Sequence, residues 1–417
     1  MIKRIALITS MLLWLLSPCL VAAETGITIV ASDVEVNFPD QAVFTVEAES
    51  YVDIVDVRLY YQVDRMNYAE VVSEGWADFT PASKIEASWV WDMGNGSLPP
   101  GAEVTYWWMV EDGEGNRVET SPKIMHFDDS RYTWQSLTST VPGGGGMALF
   151  WYNGDDSFAR ELMDTCEEGL ARLTQDIGTY PERPIKIYIY ASTSDLRGAM
   201  VFSQEWTGGV AFTDFGIIAI RVPPSELEWG KRALVHELTH LVVRQATFSP
   251  YGQLPVWLDE GLATNNEGEL DPAQRFYLEE AASDGELISV RSLCSPFSAY
   301  SEKAYLSYAE SYSLVDYLLD NYGQEKMLHL LTLLKEGNTY DDALTEVYGF
   351  DIDGLDASWQ ATLTSHTVIA SEAWQSHPAL IAVLAALVVA IALWGVPALK
   401  RRTWRSSCDK STMQDKP

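Results

Sequence analysis

Basic residues are scarce in this 417-residue chain. Lysine and arginine together number 28, against 59 aspartates and glutamates, and the formal net charge is −31. Residues 24–399 hold 20 of the basic and 57 of the acidic residues, a net charge of −37. Such a surface repels nucleic acids and anionic lipid head groups, so we expect no nucleic-acid partner. The charge fits solubility outside the cell, and it also leaves open a preference for basic peptide substrates.

Cysteine is equally sparse, with four in the whole chain. Only Cys166 and Cys294 lie between the terminal segments, so the fold cannot depend on a framework of disulfides. Cys166 falls on an apolar helical stripe, which favours a buried free thiol. A disulfide between the two remains the alternative, because an oxidising compartment would permit it.

Long apolar runs occur near the two ends of the chain. The first follows two basic residues and ends in small residues, the pattern of a secretory signal peptide over residues 1–23. The second, residues 379–399, contains no charge and is long enough to cross a bilayer as a helix. A basic cluster follows at 400–402, which predicts a cytoplasmic tail over 400–417. We therefore expect a single-pass protein of the cell membrane with its bulk outside the cytoplasm.

Residues 24–130 show the pattern of an all-β domain. Short runs of alternating apolar residues, including 42–46 and 55–61, are separated by turn-forming glycines and prolines. We predict an immunoglobulin- or fibronectin-like sandwich, and the absence of a cysteine pair argues against an antibody-type domain. Its tryptophans favour a packed core, with a carbohydrate-binding surface as the alternative.

The rest of the chain alternates strands and helices. The four glycines at 143–146 predict a hinge within a linker over 131–147. A second domain is expected over 148–365, followed by a juxtamembrane linker over 366–378. The predicted elements of the second domain are strands at 147–152 and 185–190, a helix at 155–175, a hairpin at 209–221, and helices at 271–282, 302–321, 324–335 and 341–348.

The most informative stretch is His236-Glu237-Leu238-Thr239-His240, which matches the zinc signature H-E-x-x-H. No proline interrupts the sequence from Ser225 to Gln245, and Ser225 to Glu228 resembles a capping box. On a helix, positions i and i+4 project from one face, so both imidazoles can reach one ion. Glu237 lies next to the first histidine and can act as the general base on a metal-bound water.

A second motif begins at residue 255 and reads Pro-Val-Trp-Leu-Asp-Glu-Gly-Leu-Ala. The proline is suited to the start of a new helix, and Glu260 lies in its first turns. A connection of about fifteen residues allows this helix to fold back beside the first. Two histidines and a carboxylate leave one position of a zinc ion open for water, as in catalytic sites.

Together the two motifs resemble the gluzincin metallopeptidases, and most of all the peptidase MA-like domain family. The resemblance extends from Ala148 to Leu363 and includes a later helix that reads Tyr308-Ala309-Glu310-Ser311-Tyr312. It implies an α+β, thermolysin-like fold with one zinc ion per chain. The implied ligands are His236, His240 and Glu260.

The resemblance also suggests a role for a tyrosine. In related gluzincins a tyrosine from a downstream helix stabilises the oxyanion, and Tyr308 matches that position best, with Tyr305 and Tyr312 as neighbours. Aminopeptidases of the clan carry a G-x-M-E-N segment whose glutamate holds the substrate amino terminus. The corresponding residues 208–212 read Gly-Gly-Val-Ala-Phe and lack that glutamate, which favours an endopeptidase.

We therefore expect a membrane-anchored, extracytoplasmic zinc metallopeptidase that acts on peptide or protein substrates. Two alternatives remain open. The chain could be a non-hydrolytic binding or sensor protein of the envelope that keeps the fold, or its β-domain could carry an adhesive function. A base at Glu237 argues against the first alternative, because binding alone has no need of it. The sequence does not define an oligomeric state.

Overall fold

The computed structural model describes residues 26–375, apart from 96–97, 142–144, 179, 201–207 and 299. The predicted signal peptide, membrane span and cytoplasmic tail lie outside these residues. Among the helices that the structure describes, none combines the length and the apolar character that a membrane span needs.

The amino-terminal region is rich in β-strands, as the sequence predicts. The strands are β1 (Thr28–Asn37), β2 (Gln41–Val63), β3 (Ser73–Trp76), β4 (Ala82–Asp92), β5 (Ala102–Asp112), β6 (Arg117–Glu119) and β7 (Lys123–Phe127). All pairings are antiparallel. The first half of β2 lies between β1 and β4, and its second half lies between β3 and β5.

Strand β2 corrects one prediction. The apolar runs at 42–46 and 55–61 belong to one continuous strand of 23 residues rather than to two. Its pairing with β4 is irregular between Glu49 and Ile54, which is where the strand changes partners. Strands β1 and β4 pair with it up to Glu49, and β5 pairs with it from Ile54, so the strand continues although the exposed residues between the runs interrupt the apolar alternation.

Aromatic side chains fill much of the interior of this region. Phe44, Trp108 and Phe127 are completely buried, and the ring of Phe44 packs edge-on against Tyr106 at 4.9 Å between centroids. Large buried rings contribute much of the hydrophobic stabilisation of a domain. The predicted aromatic core is therefore present for these residues.

A second sheet follows, with strand order β11-β12-β10-β9-β8. Its strands are β8 (Gln135–Ser139), β9 (Met147–Trp151), β10 (Ile185–Tyr190), β11 (Gly209–Phe212) and β12 (Ile217–Arg221). The three central strands β9, β10 and β12 are parallel, and both edge strands are antiparallel to their neighbours. Strand β8 lies within the stretch predicted as linker, because its backbone pairs along β9 and Leu137 packs on the core.

Nine helices are described in the second domain. They are α1 (Asp156–Ile177), α2 (Thr193–Arg197), α3 (Leu227–Ala246), α4 (Val256–Asn266), α5 (Pro272–Asp284), α6 (Ser301–Tyr322), α7 (Gln324–Lys335), α8 (Tyr340–Tyr348) and α9 (Ile352–Gln375). Helices α1 and α3 cover one face of the second sheet, with Leu162 and Leu238 in the shared core. The later helices form a separate core around Trp257 and Trp359.

The two sheet regions share a packed boundary. Tyr188 and Tyr190 of β10 point away from α1 and α3 and join the core of the β-domain. The hydroxyl of Tyr190 donates to the buried carboxylate of Asp129 at 3.0 Å, and Arg131 pairs with the same carboxylate at 2.6 Å. The β-domain therefore rests directly on the sheet that supports the second domain.

Candidate metal centre

Helix α3 carries the H-E-x-x-H motif along the face that points away from the sheet. Its apolar side chains Leu234, Leu238, Leu241 and Val242 are completely buried. The predicted capping box is absent, since the helix begins at Leu227 with no side-chain cap after a 3-10 turn at Pro224–Glu226. Pro223 precedes this turn and Pro224 opens it, which favours the tight geometry and leaves Ser225 inside it.

Helix α4 brings Glu260 to the histidines because it packs very closely on α6. A Cβ at Gly261 would lie only 2.4 Å from the carbonyl oxygen of Ser311. Only glycine permits this approach, and the close packing leaves the preceding residue, Glu260, facing α3. As predicted, Pro255 stands at the start of the helix, where it forms the N-cap.

The three predicted ligand side chains converge. The Nε2 atoms of His236 and His240 lie 3.2 Å apart, and they lie 3.4 Å and 3.5 Å from Oε2 of Glu260. This oxygen is buried without a hydrogen-bond partner. Two imidazole nitrogens and one carboxylate oxygen form a donor set that suits zinc, and a cation would satisfy the unpartnered oxygen. The residues present therefore fit a zinc ion.

The pKa shifts of the ligand side chains are also consistent with a bound cation. Burial alone would raise the pKa of Glu260, but the two adjacent imidazoles hold it well below its ordinary value. Burial would lower the pKa of His236, yet Glu260 and Glu267 raise it to about 9. A site that draws protons onto imidazole is rich in negative charge, and a metal ion competes for the same positions.

Two further carboxylates orient the histidines. Nδ1 of His236 lies 2.7 Å from Oε1 of Glu267, and Nδ1 of His240 lies 3.0 Å from Oδ2 of Asp259. Such partners fix the ring orientation and the tautomer that presents Nε2 to a metal. Neither residue was predicted from the sequence. Asp259 could have been found because it is adjacent to the predicted ligand Glu260. Glu267 follows the end of α4, and no motif in the sequence marks it as a partner of His236.

Glu237 faces the space beside the metal ligands. Strand β11 approaches it so closely that a Cβ at Gly209 would lie 2.8 Å from Oε1 of Glu237. Burial raises the pKa of Glu237, partly opposed by the charges of His236 and His240. A carboxylate with a raised pKa is suited to accept a proton from water near neutral pH.

Tyr308 also lies at the site, whereas Tyr305 and Tyr312, which the sequence named beside it, lie in two different environments. Its ring centroid is 6.3 Å from that of His236 and 5.2 Å from that of Phe297, which packs edge-on. Burial and the nearby carboxylates, Glu260 among them, raise the pKa of its hydroxyl, so Tyr308 stays a proton donor at neutral pH. Tyr305 lines the same cleft, whereas Tyr312 packs on the helical core.

All of these groups open into one cleft with a volume of about 830 Å³. Strand β11 forms one side, α3 and α4 form the floor, and α5 and α6 form the other side. Among the strands that the structure describes, β11 is at the edge of the sheet, and none of them pairs with its outer side. An extended chain could pair there, which is a general mode of peptide recognition.

An H-E-x-x-H helix joined by a glutamate from the next helix is the arrangement that defines the gluzincin metallopeptidases. Residues 165–365 match the sequence model of the Peptidase MA superfamily. This part of the chain is therefore a peptidase MA-like domain of the gluzincin type. The matched residues include all three candidate ligands, Glu237 and Tyr308.

Among solved structures, the chain is similar to a mutant of an M1 zinc metallopeptidase from Deinococcus radiodurans. The identity is 12%, the TM-score is 0.36, and the alignment covers 80% of this chain and 94% of that chain. No curated protein sequence matches it significantly.

Proposed function

We propose that the chain is a membrane-anchored, extracytoplasmic zinc metallopeptidase that cleaves peptide bonds within polypeptides. The observation that carries the proposal is the convergence of His236, His240 and Glu260 beside Glu237. Holding a cation requires only the three ligands. The additional carboxylate of Glu237 beside these ligands is what hydrolysis requires.

The chemistry divides between the ion and the protein. A bound zinc ion would lower the pKa of a water molecule and polarise the scissile carbonyl. Glu237 would accept a proton from the attacking water and pass it to the leaving amine. Asp259 and Glu267 hold the two imidazoles in orientation throughout. Tyr308 donates a hydrogen bond to the oxyanion, a role consistent with its raised pKa.

An endopeptidase fits the cleft better than an aminopeptidase does. An aminopeptidase needs a carboxylate that fixes the substrate amino terminus, and residues 208–212 supply none. This segment instead presents Gly208, Gly209, Val210 and Ala211 along the cleft. A peptide could therefore continue past the metal in both directions.

The β-domain and the carboxyl-terminal apolar run also have proposed roles. The pairing order around β2 supports a fibronectin-like β-domain, which would act as a spacer or a binding module. The apolar run 379–399, followed by basic residues, supports anchoring by one helix with the tail in the cytoplasm. The envelope binding protein remains the alternative function.

The test is zinc content and peptide hydrolysis by the full chain in detergent. We expect one zinc per chain, hydrolysis of a broad peptide library, and loss of both after chelation. Glu237→Gln should keep the zinc and lose about two to four orders of magnitude in kcat. Glu228→Gln, an exposed carboxylate on the same helix, is the matched control. A wild-type protein that holds zinc but cleaves nothing would favour the binding protein.

A further inference from the structure

Several charged side chains that line the cleft already have partners within the protein. Asp259 and Glu267 accept from the two histidines. Nη2 of Arg232 lies 3.4 Å from Oε2 of Glu267 and 3.2 Å from the carbonyl oxygen of Glu269. Asp271 caps α5 by accepting from the amide of Ala273 at 2.8 Å. A charged substrate side chain would have to compete with these contacts.

Aromatic surface, by contrast, remains available at two places in the cleft. The rings of Tyr277 and Tyr305 are parallel within 3°, with centroids 6.3 Å apart. Tyr305 is 47% exposed, and Trp229 on α3 is 43% exposed. Trp229 is held between the Arg221 guanidinium, 5.3 Å from its ring, and the backbone at Gly208. These rings offer flat apolar surface at fixed positions.

Tyr277 and Tyr305 line the same cleft as Tyr308 and the metal ligands. Tyr305 precedes Tyr308 by three residues on α6, which places it about 4.5 Å away along the helix axis. An extended peptide advances about 3.3–3.6 Å per residue, so Tyr305 is within reach of the residue next to the scissile bond. Trp229 lies seven residues before His236, or about 10 Å along α3, and can meet the substrate roughly three residues away.

We propose that this cleft selects polypeptides with an aromatic or large apolar side chain next to the scissile bond, seated on the Tyr277–Tyr305 pair. This inference rests on the proposed peptidase function. This apolar preference differs from the preference for basic peptides that the net charge of the chain suggests. The acidic surface attracts basic peptides in general, but the acidic groups of the cleft itself are committed to the histidines, to Arg232 and to the cap of α5.

The experiment compares matched peptides that differ only in the residues flanking the cleaved bond, which are phenylalanine, alanine or lysine. The zinc-loaded full chain should cleave the phenylalanine peptides with the highest kcat/KM. Tyr305→Ala should reduce the preference for phenylalanine over alanine on the order of 10-fold, and Tyr305→Phe should restore it. Tyr300→Ala is the matched control, since Tyr300 is an exposed tyrosine at the start of the same helix and outside the cleft.

Binding to the Glu237→Gln variant separates the two proposals. If the wild-type chain cleaves no peptide but Glu237→Gln binds phenylalanine peptides more tightly than lysine peptides, the specificity holds and the peptidase function fails. If cleavage and binding both favour lysine, or if Tyr305→Ala leaves both preferences unchanged, the specificity proposal is overturned. Cleavage with a phenylalanine preference that Tyr305→Ala removes supports both.

Discussion

At the scale of single residues, the metal ligands could be predicted from the sequence but their supporting carboxylates could not. His236 and His240 are four residues apart on one helix, so their proximity follows from helical geometry alone. The contact of Glu267 with His236 depends on how α4 ends and packs against α3. This contact depends on tertiary packing, and no residue spacing in the sequence predicts it.

We expect Glu267→Gln to weaken zinc binding by about 10- to 100-fold while the fold is kept. The amide cannot supply the negative charge that now faces Nδ1 of His236 at 2.7 Å. Competition with a zinc chelator of known affinity measures the effect. Glu269→Gln is the control, because that side chain is exposed and only its carbonyl oxygen contacts Arg232. Equal zinc affinity in wild type and Glu267→Gln would contradict the assigned role.

At the scale of elements, features set by local sequence were predicted better than features that depend on long-range strand pairing. Helices α7 and α8 lie within one residue of their predicted bounds, because apolar spacing and terminal glycines act locally. Strand β8 and the continuity of β2 were not predicted. Both depend on partner strands distant in the sequence, and strand propensity is sensitive to such context.

The contact between α4 and α6 gives a prediction at this scale. Gly261→Ala should force the helices apart, since its Cβ would lie 2.4 Å from the backbone of Ser311. We expect a loss of about 1–3 kcal/mol in the free energy of unfolding and weaker zinc binding, because Glu260 moves with the helix. Chemical denaturation and zinc titration measure the two effects.

A matched glycine supplies the control. A Cβ at Gly113, in the β-domain, would meet its nearest neighbour at an ordinary 3.5 Å. Gly113→Ala should therefore change neither stability nor zinc affinity appreciably. If Gly261→Ala behaves like Gly113→Ala, close packing of α4 on α6 does not position the ligand.

At the scale of the whole molecule, a buried acid links stability to pH. Glu310 is completely buried on α6 and accepts from the amide of Ile288 at 2.9 Å. Burial raises its pKa to about 8. The folded chain therefore keeps a proton that the unfolded chain releases near its ordinary pKa of about 4.3. The stabilisation from this proton is full below that value and is lost as pH rises through about 8.

We expect the free energy of unfolding of Glu310→Gln to fall less than that of wild type between about pH 5 and pH 8.5. The difference should be on the order of a few kcal/mol, because one pKa unit corresponds to about 1.4 kcal/mol. Urea denaturation at several pH values measures it, with the exposed Glu302→Gln as control. Parallel pH profiles for wild type and Glu310→Gln would show that Glu310 is ionised in the folded chain.

The distribution of charge along the chain predicts its orientation in the membrane. Six basic and two acidic residues follow the apolar run, whereas the preceding body is strongly acidic. Basic flanking residues stay on the cytoplasmic side, so protease added to intact cells should digest the body and spare a tag fused after Pro417. Permeabilised cells, in which the tag is also digested, provide the control. A body that resists protease while the tag is lost would reverse the orientation, and with it the extracytoplasmic location of the peptidase.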